Sequence, residues 1–266
     1  MQQPSVQAGH HTAAFDWRTR LRAALIHLSI SALVAALAGL LVFGLWYPYP
    51  YRQISGGSEL FRLVVAVDVV LGPLITFAIF NRSKPRKELR RDLAVVGLLQ
   101  LAGLVYGMWT VHLARPVHMV FEYDRFRVVH QIEIPMDLVD RAPRGIEVAP
   151  IGGPTLLSIR PFRNSNEQME MTLAALGGVH LAARPDLWQP YEDGRAAILA
   201  AARPVSELKS RFATHATEID EVVREAGADP ARAAYLPVIA RKAEGWTVLL
   251  DPSSAKVLGY VPLDSF

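Results

Sequence analysis

Three long apolar stretches occupy the first 113 residues of this chain, running over Ala23–Trp46, Leu60–Phe80 and Leu93–Leu113. A helix rising ~1.5 Å per residue needs ~20 residues to cross ~30 Å of hydrocarbon, and each stretch is that long. Residues 114–266 contain no comparable run, and the connections between the stretches are too short to hold domains. The expected architecture is a three-helix transmembrane bundle followed by an α+β extracytoplasmic domain. Its parts are a tail over 1–22, spans at about 23–46, 60–80 and 93–113, and an outer domain over 114–266.

Charge orients the chain. Arg18, Arg20 and Arg22 precede the first stretch against Asp16 alone, and residues 81–92 pack six basic side chains into twelve positions. The segment between the first two stretches holds only Arg52 against Glu59, with Arg62 just inside the second. Basic residues stay on the cytoplasmic side, so the N-terminus and the 81–92 connection are expected inside and the C-terminal domain outside. In a bacterial inner membrane that outside is the periplasm. Trp46, Tyr47, Tyr49 and Tyr51 cluster where the first span should leave the bilayer, and Trp109 lies near the same face.

The overall charge of +3 hides an asymmetry. Residues 1–113 carry eleven basic and five acidic side chains, whereas residues 114–266 carry seventeen and twenty. The basic excess therefore tracks membrane topology, and the folded domain lacks the electrostatic footprint of a nucleic-acid binder. The sequence has no cysteine, which removes disulfides, thiol catalysis and thiolate metal sites.

The first stretch, at about 24 residues, exceeds the 7–15 of a signal-peptide core, and no small-x-small cleavage pattern follows it, so it is expected to stay as an anchor. Residues 1–15 are read as a disordered cytoplasmic tail, and His10–His11 as part of its composition rather than a metal site.

Ionisable groups inside a span are costly and are functional candidates by default. Arg62 is close enough to the outer end of the second span for its stem to snorkel to water. Asp68 lies twelve residues, or about 18 Å, from the inner end and cannot share a helix face with Arg62. Tyr106 falls at a similar depth on the third span, where its hydroxyl could meet the Asp68 carboxyl. Asp68 is read as a satisfied bundle-interior residue, as a contact for a polar group on a partner helix, or as a proton-transfer group. His27 and His112 sit near opposite ends of their spans, which argues against haem; no cofactor is expected. Ser31, Ala35 and Gly39, and Gly103-Leu-Val-Tyr-Gly107, carry the small-residue spacing that lets helices approach closely in lipid. Pro73 is expected to kink the second span.

Beyond Pro116 the pattern alternates. Val117–Glu122 and Phe126–Ile134 read as a hairpin around Tyr123-Asp-Arg, Met136–Arg141 as a short helix and Thr155–Ile159 as a strand. Helical spacing covers Gln168–Leu176, Ala196–Ala202 and Val205–Glu225, the last breaking near Thr214-His215. Tyr235–Ala240, Trp246–Leu250 and Val257–Val261 read as a meander, with Asp251-Pro-Ser-Ser as a turn. No phosphate loop, HExxH, GxSxG or histidines paired at metal-ligand spacing appear in this region, so no catalytic or metal-binding residue is assigned. Trp188 and Tyr191, beside Glu192-Asp193, are read as core anchors or as a partner-binding cluster.

Several segments together resemble the TfpX/TfpZ-type pilin accessory proteins. They include Leu25-Ile-His-Leu-Ser-Ile-Ser-Ala32, Trp46-Tyr-Pro-Tyr-Pro-Tyr51, Gly57-Ser-Glu-Leu-Phe61 and Val67-Asp-Val-Val-Leu-Gly-Pro-Leu74. Arg90-Arg-Asp-Leu-Ala94, Phe121-Glu-Tyr-Asp-Arg-Phe-Arg-Val128, Arg184-Pro-Asp-Leu-Trp-Gln-Pro-Tyr191 and Trp246-Thr-Val-Leu-Leu-Asp-Pro252 extend the likeness along the chain. The resemblance implies a non-enzymatic inner-membrane factor of type IV pilus biogenesis that stabilises or chaperones the pilin subunit. On that reading Arg62, Asp68, Tyr106, Trp188 and Tyr191 are candidate partner contacts, the partners are pilin and the lipid bilayer, and nucleic acid is not among them. The alternatives are a membrane-anchored scaffold or sensor of another envelope system, or a pilin- or lipid-modifying enzyme; the last would need convergent acids or a metal site that the sequence lacks.

Overall fold

A computed structural model describes residues 16–241 and 245–266. The expected tail over 1–15, with His10–His11, lies outside the described residues. Helix α1 spans Trp17–Leu41 and runs on as a π-helical segment through Trp46. It starts earlier than the apolar stretch because Asp16 caps it: the Thr19 amide donates to Asp16 Oδ1 at 3.2 Å, supplying a partner for one of the first-turn N–H groups. After α2 (Tyr51–Ile54), α3 covers Gly57–Val65, a π-helical segment Ala66–Leu71, and α4 Gly72–Ile79. Helix α5 runs over Arg86–Leu113. Much of the basic 81–92 connection is thus helical, since Arg, Lys, Glu and Leu all favour helix and nothing between 86 and 113 breaks it. Among the described residues, three helical runs are long and apolar enough to cross a membrane: Trp17–Trp46, Gly57–Ile79 and Arg86–Leu113. A π-helical segment, Ala66–Leu71, lies just before Pro73, whose missing N–H cannot close the regular ladder.

The chain divides into two compact units. Among the described residues, one comprises 16–37 and 62–107, the other 38–61, 108–241 and 245–266. The second unit therefore includes the C-terminal ends of α1 and α5 as well as the whole polar region.

In that unit β1 (Pro116–Glu122) and β2 (Arg125–His130) form an antiparallel hairpin closed by Tyr123-Asp124, with Tyr123 at φ 57°. Strands β3 (Thr155–Ile159) and β4 (Trp188–Pro190) continue the sheet on one side. On the other, β6 (Ala234–Ile239) carries the two-residue β5 (Arg203-Pro204) and is followed by β7 (Trp246–Leu250) and β8 (Val257–Val261). The order is β4-β3-β1-β2-β6-β7-β8, with β1·β3 and β2·β6 parallel and the other pairs antiparallel. Helices α6 (Ser165–Leu176), α7 (Arg195–Ala201), α8 (Val205–Arg211) and α9 (Ala216–Glu225) fill the connections. The expected break in 205–225 falls at Phe212, which leaves helical geometry at φ −120°, ψ 57°. Strand β2 ends earlier than expected, because His130–Glu133 closes a 3-10 turn capped by the Glu133 carboxylate.

Alternation along the strands builds a core on both faces. Met119, Phe121, Phe126, Val128, Leu236 and Trp246 pack on one, where they meet Tyr51 and Ile54 of α2. Val120, Leu157 and Trp188 pack on the other at one end of the sheet, and Tyr235, Leu249 and Val223 at its opposite end. The expected interfacial aromatics are thus corrected. Tyr47 and Tyr51 are buried inside this unit, the Tyr47 hydroxyl donating to the Val111 carbonyl at 3.1 Å, while Tyr49 stays exposed.

His118, fully buried beneath Trp188, carries a pH dependence. Its Nε2–H donates to the Val148 carbonyl at 3.0 Å and Nδ1 pairs with the Thr155 hydroxyl at 2.7 Å. Burial pulls the imidazole from 6.5 to about 4. The folded protein binds this proton more weakly than the unfolded chain, so the stabilisation is complete above about pH 6.5 and is lost as pH falls towards 4. That loss amounts to about 3 kcal/mol. Thermal unfolding of the wild type and of His118→Gln across pH 7 to 4 should show a slope in the first that is flattened in the second. Equal slopes would remove His118 as its source.

Candidate functional site

Within the helical unit, polar side chains gather where an apolar environment makes each one costly. The π segment Ala66–Leu71 places Asp68 inward, at 8% exposure, among valines and leucines. Its backbone carbonyl accepts from Gln100 Nε2 on α5 at 3.2 Å. Gly72 makes that reach available: a Cβ there would stand 1.8 Å from Gln100 Nε2, so any larger residue would push the amide away. On α1, His27 Nδ1 pairs with the buried Thr76 hydroxyl at 2.6 Å, Ser31 is buried, and Arg20 Nη1 donates to the Ala78 carbonyl at 2.7 Å near the end of α4. The last contact sets a cation against the negative end of a helix dipole.

One buried side-chain atom of this unit lacks a partner among the described residues. Asp68 Oδ1 is buried and accepts no hydrogen bond among the described residues. Buried polar atoms are overwhelmingly satisfied, so an orphan carboxylate oxygen in an apolar helical run marks a place that can take a donor. The expected bond from the Tyr106 hydroxyl is not made to this oxygen, and Tyr106 lies largely exposed on α5. Arg62 is exposed in the last turn of α3. Of the small residues, Gly107 is used inside the unit, since a Cβ there would meet Val64 at 2.7 Å, whereas Gly97 and Gly103 face open space. Helix α5 therefore presents Gly103 and Tyr106 outward, two residues that a neighbouring helix could approach. Asp68 could be noticed in the sequence as a charge in a span; the π segment and Gln100 that frame it leave no periodic signal.

In the sheet-bearing unit the expected aromatic cluster resolves into core. Trp188 is 1% exposed, its Nε1–H donates to the Ala182 carbonyl at 2.7 Å, and its ring stands edge-on to His118 at 4.5 Å. Tyr191 is half-buried, donates to the Ala255 carbonyl at 2.6 Å and stacks on Phe126. What lies open is a groove of about 500 Å³ lined by Phe121, Tyr123, Pro161, Phe162, Ala196 and Ala197. Tyr123, at the hairpin tip, is more than half exposed and packs against Phe162 at 6.4 Å. Beside the groove, Arg160 forks onto Glu167 at 2.8 and 3.0 Å and holds that carboxyl down at about 2, which fixes the start of α6. No group of three or more acidic or histidine side chains is placed to hold a metal ion among the described residues.

Comparison with known proteins adds a process. The family model described as fimbrial assembly protein FimB matches residues 15–56, from the start of α1 through α2. The chain is 34% identical over 242 residues to the fimbrial assembly protein of Dichelobacter nodosus serogroup I, covering 91% of this chain and 94% of the relative. The serogroup E1 protein of that organism is 35% identical over 243 residues with the same coverage, and the protein of serogroups C1 and C2 is 42% identical over 117 residues, 44% of this chain and 89% of the relative. No solved structure matches.

Proposed function

Since the chain belongs to the family of fimbrial assembly proteins, we propose that it is a non-enzymatic inner-membrane factor of type IV pilus biogenesis that holds the pilin subunit before or during assembly. On this reading the three apolar runs cross the membrane with the N-terminus in the cytoplasm and the sheet-bearing unit in the periplasm. A pilin awaiting assembly has one apolar helix in the membrane and a globular head outside. The observation that carries the mechanism is the buried, unpaired Asp68 Oδ1, an acceptor inside apolar helices that a donor on a client helix would satisfy. Tyr106 and Gly103 supply an open face for such a helix, Arg62 a polar contact nearer the outer end, and the Tyr123–Phe162 groove a seat for the head.

The test is photocrosslinking in cells from position 68 and position 123, with copurification of pilin as the quantitative readout. Pilin adducts from both positions are expected. A hydrogen bond between membrane helices contributes about 0.6–2 kcal/mol, so Asp68→Leu should lower copurified pilin by roughly three- to thirtyfold. Asp68→Asn, which keeps a carbonyl oxygen, should lower it less. If pilin is abundant yet neither probe captures it and Asp68→Leu changes nothing, the holding mechanism is wrong.

A further inference from the structure

The sheet-bearing unit carries its own account of how it meets the lipid. Arg115, two residues beyond α5, is 1% exposed, and among the described residues no carboxylate pairs with its guanidinium. It donates instead to the carbonyls of His112 at 2.9 Å, Ala149 at 3.0 Å and Pro150 at 3.4 Å, to His112 Nε2 at 2.9 Å, and to the Gln131 side chain. The Gln131 amide in turn donates to the Arg115 carbonyl at 3.0 Å. The end of α5 is thereby tied to two loops at once, at 131 and at 149–150. The second loop also packs closely against the exit of α1: Gly153, at φ +95°, sits so near that a Cβ there would lie 3.2 Å from the Leu45 carbonyl and 3.4 Å from Pro48.

Three exposed apolar side chains directly adjoin these contacts. Ile151 lies between Pro150 and Gly153 and is 60% exposed, Ile132 follows Gln131 and is 63% exposed, and Tyr49 follows Pro48 and is 56% exposed. Trp109, also exposed, is one turn before the end of α5. Each of the four thus lies in or next to a segment that touches the C-terminal end of α1 or α5, where those helices leave their apolar runs, and aromatic side chains at such helix ends settle among lipid headgroups.

We propose that Tyr49, Ile132 and Ile151 form a foot that rests in the headgroup layer of the outer leaflet, so that the sheet-bearing unit is seated on the bilayer rather than swinging clear of it. Two isoleucines on loops gain from such a layer what water denies them, and the Arg115 and Gly153 contacts keep them from folding inward. The proposal rests on the reading that α1 and α5 cross the membrane, and its test separates the two.

The sequence contains no cysteine, so single-cysteine variants can be labelled without background. Ile132→Cys, Ile151→Cys, Leu176→Cys (an exposed position on α6) and Leu99→Cys (an exposed position midway along α5) would each carry an environment-sensitive fluorophore in full-length protein in lipid nanodiscs. Expected at 132 and 151 are a blue-shifted emission, loss of intensity with lipids spin-labelled near the headgroup, and protection from aqueous iodide. Position 176 should show the reverse, and position 99 should be quenched by lipids labelled deep in the acyl chain. Iodide quenching at 132 and 151 with deep quenching at 99 would overturn the foot and leave the membrane reading standing. Protection from iodide without lipid quenching would assign the surface to a protein contact and also overturn it. Absence of lipid quenching at 99 would overturn the membrane reading and the foot together.

Discussion

Arg115→Ala should destabilise the full-length protein by about 3–5 kcal/mol, the cost of breaking a buried polar network. For a chain of this size that corresponds to a midpoint lower by on the order of 10 °C, read by near-UV circular dichroism in detergent or nanodiscs. The size of the effect follows from what the substitution leaves behind. The carbonyls of Ala149 and Pro150 and the Gln131 amide oxygen lose this donor at a site where the side chain is 1% exposed, while the His112 carbonyl keeps only the backbone amide of residue 115, at 3.2 Å. A buried ion pair can often be replaced by an apolar side chain of similar volume at no cost, but here the partners are neutral acceptors, so restoring volume does not restore the donors. Arg115→Met is therefore expected to be as damaging as Arg115→Ala. Arg115→Lys, whose compact ammonium cannot span the set, should fall between. An Arg115→Met protein as stable as the wild type would show that those acceptors find other donors and that the knot contributes little.

This knot also shows where sequence reasoning stops. The strands and helices of residues 116–266 could be placed from alternation, helical spacing and turn chemistry, because each of those signals is local. Asp251, for instance, predicts its own turn, and its carboxylate accepts from the amides of Ser253 and Ser254 at 2.9 Å. Arg115, by contrast, reads as one more basic residue beyond a span, and nothing local announces that loops 16 and 34 residues away will converge on it. The same holds for Tyr47 and Tyr51. Their position at a span exit predicted lipid contact, yet α2 carries Tyr51 and Ile54 into a core assembled by strands that come 60 to 200 residues later. Of the candidate site, Asp68 was visible because a charge among valines is conspicuous. The Tyr123 groove was not, since its lining is drawn from three separated segments. Mixed parallel pairing is the physical reason: β1·β3 and β2·β6 join strands far apart in sequence, so the surfaces between them have no one-dimensional signature.

The assignment of Trp188 decides between two uses of the outer unit, and its substitution is expected to have an effect of similar size. Trp188→Ala should cost about 3–5 kcal/mol, the range for removing a large aromatic from a close-packed core. It also strips the Ala182 carbonyl of its donor and the His118 ring of its edge-on neighbour. Trp188→Phe keeps most of the volume and loses the hydrogen bond, a change of about 1–2 kcal/mol. Stability alone would not distinguish a core ring from a docking ring, so the informative comparison pairs it with pilin capture from position 68. If Trp188 is core and the groove is the seat, Trp188→Phe should lower the unfolding midpoint and leave capture intact. Tyr123→Ala, at an exposed hairpin tip, should do the opposite, weakening capture while leaving the midpoint near that of the wild type. The reverse pattern would mean that a fully buried tryptophan becomes accessible when the client binds, and the docking surface would have to be sought beneath residues 181–190 rather than along the Tyr123–Phe162 groove.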